Sequence, residues 1–273
     1  MSPEPAAAVT SVLVIAARAV VAICMVLLVV LVVFDAHAER FTAGLAPLQF
    51  SGQVEGDLRE EYAKLVGVAH NAGDDIGAAH EAAAHGVDAV EIDVTSVGGE
   101  LHASHDAPVP FFETLFFRGP ELEEAWDAAR LRDTVLLHLK ESSPAYLEDL
   151  RRFLSTRRDR KLIIQTGDAR SLRVLRRTVP WAERLQLIFT ERDLEALRGD
   201  AGLVALLDGV SVRDRLLTAS RHAWLEQRGL KTFAWTVNDN RRMNELIERG
   251  LDGLITDRLD FMALLGGRPE LVR

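Results

Sequence analysis

From Lys64 onward, short apolar and β-branched runs alternate with longer stretches of helical periodicity, the pattern of parallel strands joined by crossover helices. Eight strand-like runs fall at 64–70, 89–95, 134–140, 161–167, 185–191, 209–212, 231–239 and 253–257. Helical segments between them include 74–85, 144–156, 171–178, 220–228 and 241–249. Three of these stop at a glycine behind a basic residue, at His85-Gly86, Arg228-Gly229 and Arg249-Gly250. An open doubly wound sheet writes a similar string, but eight strand-then-helix units predict a closed α/β barrel of the (β/α)8 TIM type over 64–265. One insertion breaks the rhythm: Gly98-Gly99 reads as a hairpin turn into a return strand over 100–105. The aromatic, proline-bearing stretch 108–119, with Phe111, Phe112, Phe116 and Phe117, reads as a lid or as ordinary packing of a long loop.

The first forty residues follow another pattern. Residues 19–34 are uninterrupted apolar sequence and reach spanning length if 11–17 join them across Arg18. Residues 1–40 are expected to be a transmembrane anchor, the small-x-small triplet Ala36-His37-Ala38 leaving a cleaved signal as the alternative, and 41–63 a linker. Arg18 on one side, against Asp35, Glu39 and Arg40 on the other, favours a cytoplasmic N-terminus and an extracytoplasmic catalytic body, membrane-held or secreted after cleavage.

Composition narrows the chemistry. With 41 acidic and 32 basic residues the net charge is -9, which argues against a nucleic-acid partner. The only cysteine, Cys24, sits in the apolar segment, so the body has no disulfide, thiol nucleophile or thiolate metal site. The arginine-rich run 151–161 is expected to be a solvated helix face.

Strand parity supplies the candidate site. Along Val90-Glu91-Ile92-Asp93-Val94 the apolar residues share one face and both carboxylates the other. A strand covered on both sides should be apolar throughout, so two carboxylates near its C-terminal end call for a cation, a hard divalent metal or a basic side chain. The next strand pairs Leu137 and Leu139 against His138 and Lys140, an imidazole for the same metal and a positive charge for a phosphate. His70 and His105 each close a strand, and two imidazoles beside a carboxylate pair make an acid and base set for breaking a P–O bond.

Taken in order, His70-Asn71, Glu91-Ile92-Asp93, His105-Asp106, His138-Leu139-Lys140, Trp235-Thr236-Val237-Asn238 and Ile255-Thr256-Asp257 resemble the motifs of the glycerophosphodiester phosphodiesterase family, within the phospholipase C-like phosphodiesterases. The likeness runs over about 66–261. It implies a phosphoric diester hydrolase of the TIM-barrel type, with His70 and His105 as general acid and base, Glu91 and Asp93 on a divalent ion such as calcium or magnesium, and Trp235 as a substrate wall. Three departures stand out. Asn71 replaces the arginine that would touch phosphate, and His138 stands where the family has a third metal carboxylate, tilting the preference towards manganese or zinc. The loop after His70 is also short, reaching its helix through Asp74-Asp75. This trimmed edge is similar to that of phospholipase D toxins and phosphatidylinositol-specific phospholipases C. The expected substrate is therefore a glycerophosphodiester or a lysophospholipid near membrane lipid, with Asn71, Lys140 and Trp235 on the substrate. The alternatives are a sphingomyelinase D-like enzyme and a barrel that binds such diesters without turnover.

Overall fold

In a computed structural model, residues 65–106, 117 and 119–265 are described. The chain divides at Gln53/Val54, and only the second unit contains described residues. The expected anchor, the linker and nearly all of the 108–119 loop lie outside them, and among the described residues no helix is long and apolar enough to cross a membrane.

The strands are β1 (Val66–Ala69), β2 (Ala89–Val97), β3 (Glu100–Ala103), β4 (Thr134–Leu139), β5 (Lys161–Thr166), β6 (Glu183–Ile188), β7 (Gly209–Arg213), β8 (Lys231–Trp235) and β9 (Gly253–Thr256). They run in the order β1-β9-β8-β7-β6-β5-β4-β2, and β1 pairs with β2 to close an eight-stranded parallel barrel. The return strand β3 pairs antiparallel with the far end of β2, across Gly98 (φ 62°) and Gly99 (φ 90°), whose two left-handed residues match a hairpin turn of the primed kind. Around the barrel lie α1 (Ile76–Ala84), α2 (Leu122–Ala128), α3 (Pro144–Leu154), α4 (Ala169–Thr178), α5 (Glu191–Gly199), α6 (Ala201–Val204), α7 (Ala219–Glu226), α8 (Asn240–Glu248) and α9 (Leu259–Leu265). The closed barrel and all eight strand positions agree with the sequence reading, and the three glycines behind His85, Arg228 and Arg249 all take positive φ.

Two strands stop three or more residues before the end of the run read for them. The run read as 185–191 is strand only to Ile188 and begins at Glu183, because Thr190 caps α5 by accepting from Asp193 N–H. The run read as 231–239 stops at Trp235, since Asp239 caps α8 by accepting from Arg242 N–H. The arginine-rich run is also more than a solvated face. Arg151 and Arg152 pair with Glu148 and Asp149, whereas Arg157, Arg158 and Arg160 lie 3.9, 3.9 and 4.2 Å over the rings of Phe153, Trp181 and Trp126. Their stems cover apolar surface while the guanidinium charge meets the ring faces.

Period-two alternation splits each strand between two cores. Val90, Ile92 and Val94 face the helix layer, while Val68, Ala89, Leu136, Ile163, Leu185, Phe233 and Ile255 fill the barrel floor. Above that floor the inward positions become polar: Glu91 and Asp93 on β2, His138 on β4, Gln165 on β5 and Ser211 on β7. The chemistry therefore gathers at the C-terminal mouth. The floor is tight, for a Cβ at Gly253 would collide with the Phe233 ring. Gly253→Ala is expected to cost about 1–3 kcal/mol and lower Tm by several degrees in a melting experiment.

Candidate active site

The carboxylate pair sits where β2 changes partners. On one edge β2 pairs with β4 from Ala89 to Val94; on the other it pairs with β1 only at Ala89 and Val90 and with β3 from Val94 to Val97. Asp93 falls in the gap between them. Its N–H is taken by the Asp74 carboxylate at 2.8 Å and its carbonyl by Ser104 N–H at 2.8 Å. Both side chains point inward, Glu91 being 2% and Asp93 0% exposed, so the pair is not turned to bulk solvent.

An imidazole and an ammonium group face them. Asp93 Oδ1 lies 2.8 Å from His138 Nδ1, and Asp93 Oδ2 lies 2.8 Å from Lys140 Nζ. Glu91 Oε1 lies 3.6 Å from His138 Nδ1 and accepts from Gln165 Nε2 at 2.6 Å, while Asn71 N–H reaches Glu91 Oε2 at 3.4 Å. The register causes this convergence: Asp93 is level with His138, and His138 with Gln165. Burial pushes the Asp93 carboxyl up, but His138 and Lys140 outweigh it and hold Asp93 below the usual carboxylate range. Burial raises Glu91, against the lowering charge of His70.

Glu91, Asp93 and His138 each offer one ligand atom, and these lie within 4.8 Å of one another. The set fits a divalent cation, because it gathers a fully buried carboxylate that resists ionisation, a second carboxylate and an imidazole. Lys140, read as a phosphate contact, reaches Asp93 in this structure.

His70 is built into a relay. Its Nδ1 lies 2.8 Å from Asp257 Oδ1 and its Nε2 3.4 Å from Thr236 Oγ1. Asn238 holds that aspartate from both sides, its Nδ2 donating to Asp257 Oδ2 at 2.6 Å and its Oδ1 accepting from Asp257 N–H at 3.0 Å. The Trp-Thr-Val-Asn and Ile-Thr-Asp motifs thus meet to orient one imidazole. Burial alone lowers His70, but Asp257 and the charges of Glu91 and Asp93 outweigh it and raise its pKa. His105 follows the Ser104 that bonds Asp93 and has its Nδ1 3.1 Å from Asp106 Oδ1. Asn71 adopts a left-handed backbone (φ 51°), and its side-chain Oδ1 is buried without a hydrogen-bond partner among the described residues. Trp235 is half-buried at the mouth and donates from Nε1 to the Ser211 carbonyl at 3.1 Å.

Sequence reasoning passed over Asp74, Gln165 and the orienting role of Asp257. The signal for Asp74 was the doublet itself: one acid suffices to cap α1, and Asp75 does so by accepting from Ala78 N–H, freeing Asp74 to turn inward. Burial, and then the charge of Asp93, push the Asp74 carboxyl up to about 9. Between pH 4 and 9 the folded metal-free protein therefore holds a proton that the unfolded chain gives up, so this group's contribution to stability falls as pH rises. Asp74→Asn keeps the acceptor for Asp93 N–H and removes the titration. The metal-free variant is expected to melt above wild type at pH 8, with the advantage shrinking towards pH 4.

The chain is thus a closed (β/α)8 barrel with a carboxylate and imidazole cluster at its C-terminal mouth. The glycerophosphoryl diester phosphodiesterase family model matches residues 136–261. The likeness read from the motifs is thereby borne out, and the enzyme class that goes with it is phosphoric diester hydrolase. The match begins within β4, so His70, Asn71, Glu91, Asp93 and His105 precede it. Among solved structures the fold is shared with an Oleispira antarctica phosphodiesterase in complex with the product sn-glycerol-3-phosphate (19% identity, 76% of this chain and 99% of that one, TM-score 0.63). It is shared too with a Silicibacter pomeroyi glycerophosphoryl diester phosphodiesterase (16% identity, 77% and 98%, TM-score 0.62). A third is the Thermotoga maritima glycerophosphodiester phosphodiesterase (19%, 74% and 98%, TM-score 0.54). No curated protein matches the chain in sequence.

Proposed function

We propose that the protein hydrolyses glycerophosphodiesters to sn-glycerol 3-phosphate and an alcohol, with a divalent cation held by Glu91, Asp93 and His138 and with His70 and His105 exchanging protons. The observation that carries this reading is the Asp257–His70 pair, aimed into a mouth whose buried carboxylates need a cation. The product bound to the Oleispira barrel supports the choice of substrate class. When bound, the cation neutralises the buried carboxylates and polarises a phosphoryl oxygen. An imidazole with two carboxylates suits manganese or zinc better than calcium.

In this reading a glycerol hydroxyl, or water, attacks phosphorus. His105 takes its proton as the new P–O bond forms. His70, kept protonated by Asp257, gives a proton to the departing head-group oxygen as the old bond breaks. Where a cyclic phosphate forms, water reopens it with the two imidazoles in exchanged roles. Lys140 steadies the charge at Asp93 and, with a cation there, is free to turn to phosphate. Action on lysolipids at a membrane surface rests on the apolar stretch 19–34 alone.

The test is release of sn-glycerol 3-phosphate from glycerophosphodiesters, or of an acylglycerol phosphate from lysophospholipids, with manganese, zinc, magnesium or calcium, each with and without chelator. Release with at least one metal, abolished by chelation, is the expected result. No release under any metal overturns the reading in favour of a binding barrel.

A further inference from the structure

Across the mouth from β2, three to four strands away round the barrel, the ends of β6, β7 and β8 form a second cluster that the acid–base chemistry does not use. Phe189 follows β6, Arg213 ends β7 and Trp235 ends β8, and Arg213 and Trp235 are level in register. All three share the inward parity of Leu185, Ser211 and Phe233. The Phe189 and Trp235 rings lie 5.4 Å apart at 40°, and the Arg213 guanidinium sits 4.7 Å from the Phe189 ring centroid. The indole is pinned by its bond to the Ser211 carbonyl, and the next residue, Thr236, reaches His70. The cluster therefore adjoins the reacting centre.

Its charge is unspent. Lys140 and His138 face Asp93, and Arg242, Arg258 and Arg221 each meet an acid. Among the described residues the Arg213 side chain makes no ion pair or hydrogen bond, only its contact with the Phe189 face. Phe189, at 48% exposure, is one of two large apolar side chains left open among the described residues. An arginine laid on an exposed ring keeps its N–H edge free and preset for a planar or tetrahedral anion. On β1, where the family's arginine is replaced, Asn71 offers no such charge.

We propose that Phe189, Arg213 and Trp235 form a head-group subsite for diesters whose alcohol carries a further anion, a second phosphate or a carboxylate. Arg213 takes the anion and the two rings take the carbon chain leading to it. Aromatic faces alone would favour a quaternary ammonium, but the fixed guanidinium repels one, so choline esters are disfavoured. The subsite rests on the phosphodiesterase reading for its substrate and reads only the part of the diester remote from phosphorus.

The experiment compares wild type, Arg213→Gln and Arg213→Lys in the full chain, on glycerophosphoglycerol bearing a terminal phosphate, on plain glycerophosphoglycerol and on glycerophosphocholine. Wild type is expected to prefer them in that order. In Arg213→Gln the ratio of kcat/KM for the phosphorylated over the plain substrate falls roughly 10- to 100-fold, mainly through KM, the loss of one charged hydrogen-bonding contact. Arg213→Lys keeps part of it. A ratio unchanged within twofold overturns the subsite while leaving the phosphodiesterase reading intact. If wild type turns over nothing, that reading fails, and tryptophan fluorescence titration with the phosphorylated diester decides the subsite separately. Binding at least tenfold weaker in Arg213→Gln sustains it, and equal or absent binding by wild type overturns it.

Discussion

His70→Ala is expected to lower kcat on a glycerophosphodiester by roughly 10²- to 10⁴-fold, the usual worth of a positioned acid or base, with KM little changed. Its imidazole is held at both nitrogens, Nδ1 by Asp257 and Nε2 beside Thr236. The alanine variant should still bind divalent metal, since Glu91, Asp93 and His138 are untouched. Asp257→Asn separates orientation from protonation. Asp257 is among the groups that raise His70 against the lowering effect of burial, so the amide should let the pKa fall. A reaction that needs the protonated imidazole then loses rate at lower pH, and the basic limb of the pH–rate profile moves acidward. A limb that stays in place in Asp257→Asn, or an unchanged kcat in His70→Ala, removes His70 from the chemistry.

Glu91→Gln is expected to abolish stabilisation by added metal. In wild type, metal at about 100 times its Kd adds about 2.7 kcal/mol to the folded state, or roughly 5–10 °C in Tm for a body of this size. The variant should show almost none of that shift, with turnover lost in parallel. Without metal the order reverses. Burial raises the Glu91 carboxyl, so its charged form opposes folding, and a neutral amide is expected to melt no lower than wild type. Gln165 can follow the change by turning its own amide so that its oxygen accepts from the new one. A full metal-induced shift in Glu91→Gln would sink the proposed metal centre.

Much of this protein was legible before folding. The inward parity of Glu91 and Asp93, the shared face of His138 and Lys140 and the hairpin at Gly98-Gly99 all follow from period-two geometry and turn chemistry, which are local. The eight strands were found because a β-branched run between glycine-stopped helices needs no partner to be recognised. Where runs carried on past their true ends, as at Phe189 and Thr236, the error came from capping residues that outcompete apolar continuation.

Contacts between distant strands were not legible. That Asp93 lies where β2 exchanges β1 for β3, that Asp74 fills the gap and that Asn238 grips Asp257 to hold His70 depend on strand register and on where each strand stops. Sequence alone set which face of each strand a side chain occupies, because alternation belongs to the single strand. Only closure of the barrel decided which of those side chains meet, because partners 19 to 187 residues apart become neighbours only once the register round the whole ring is settled.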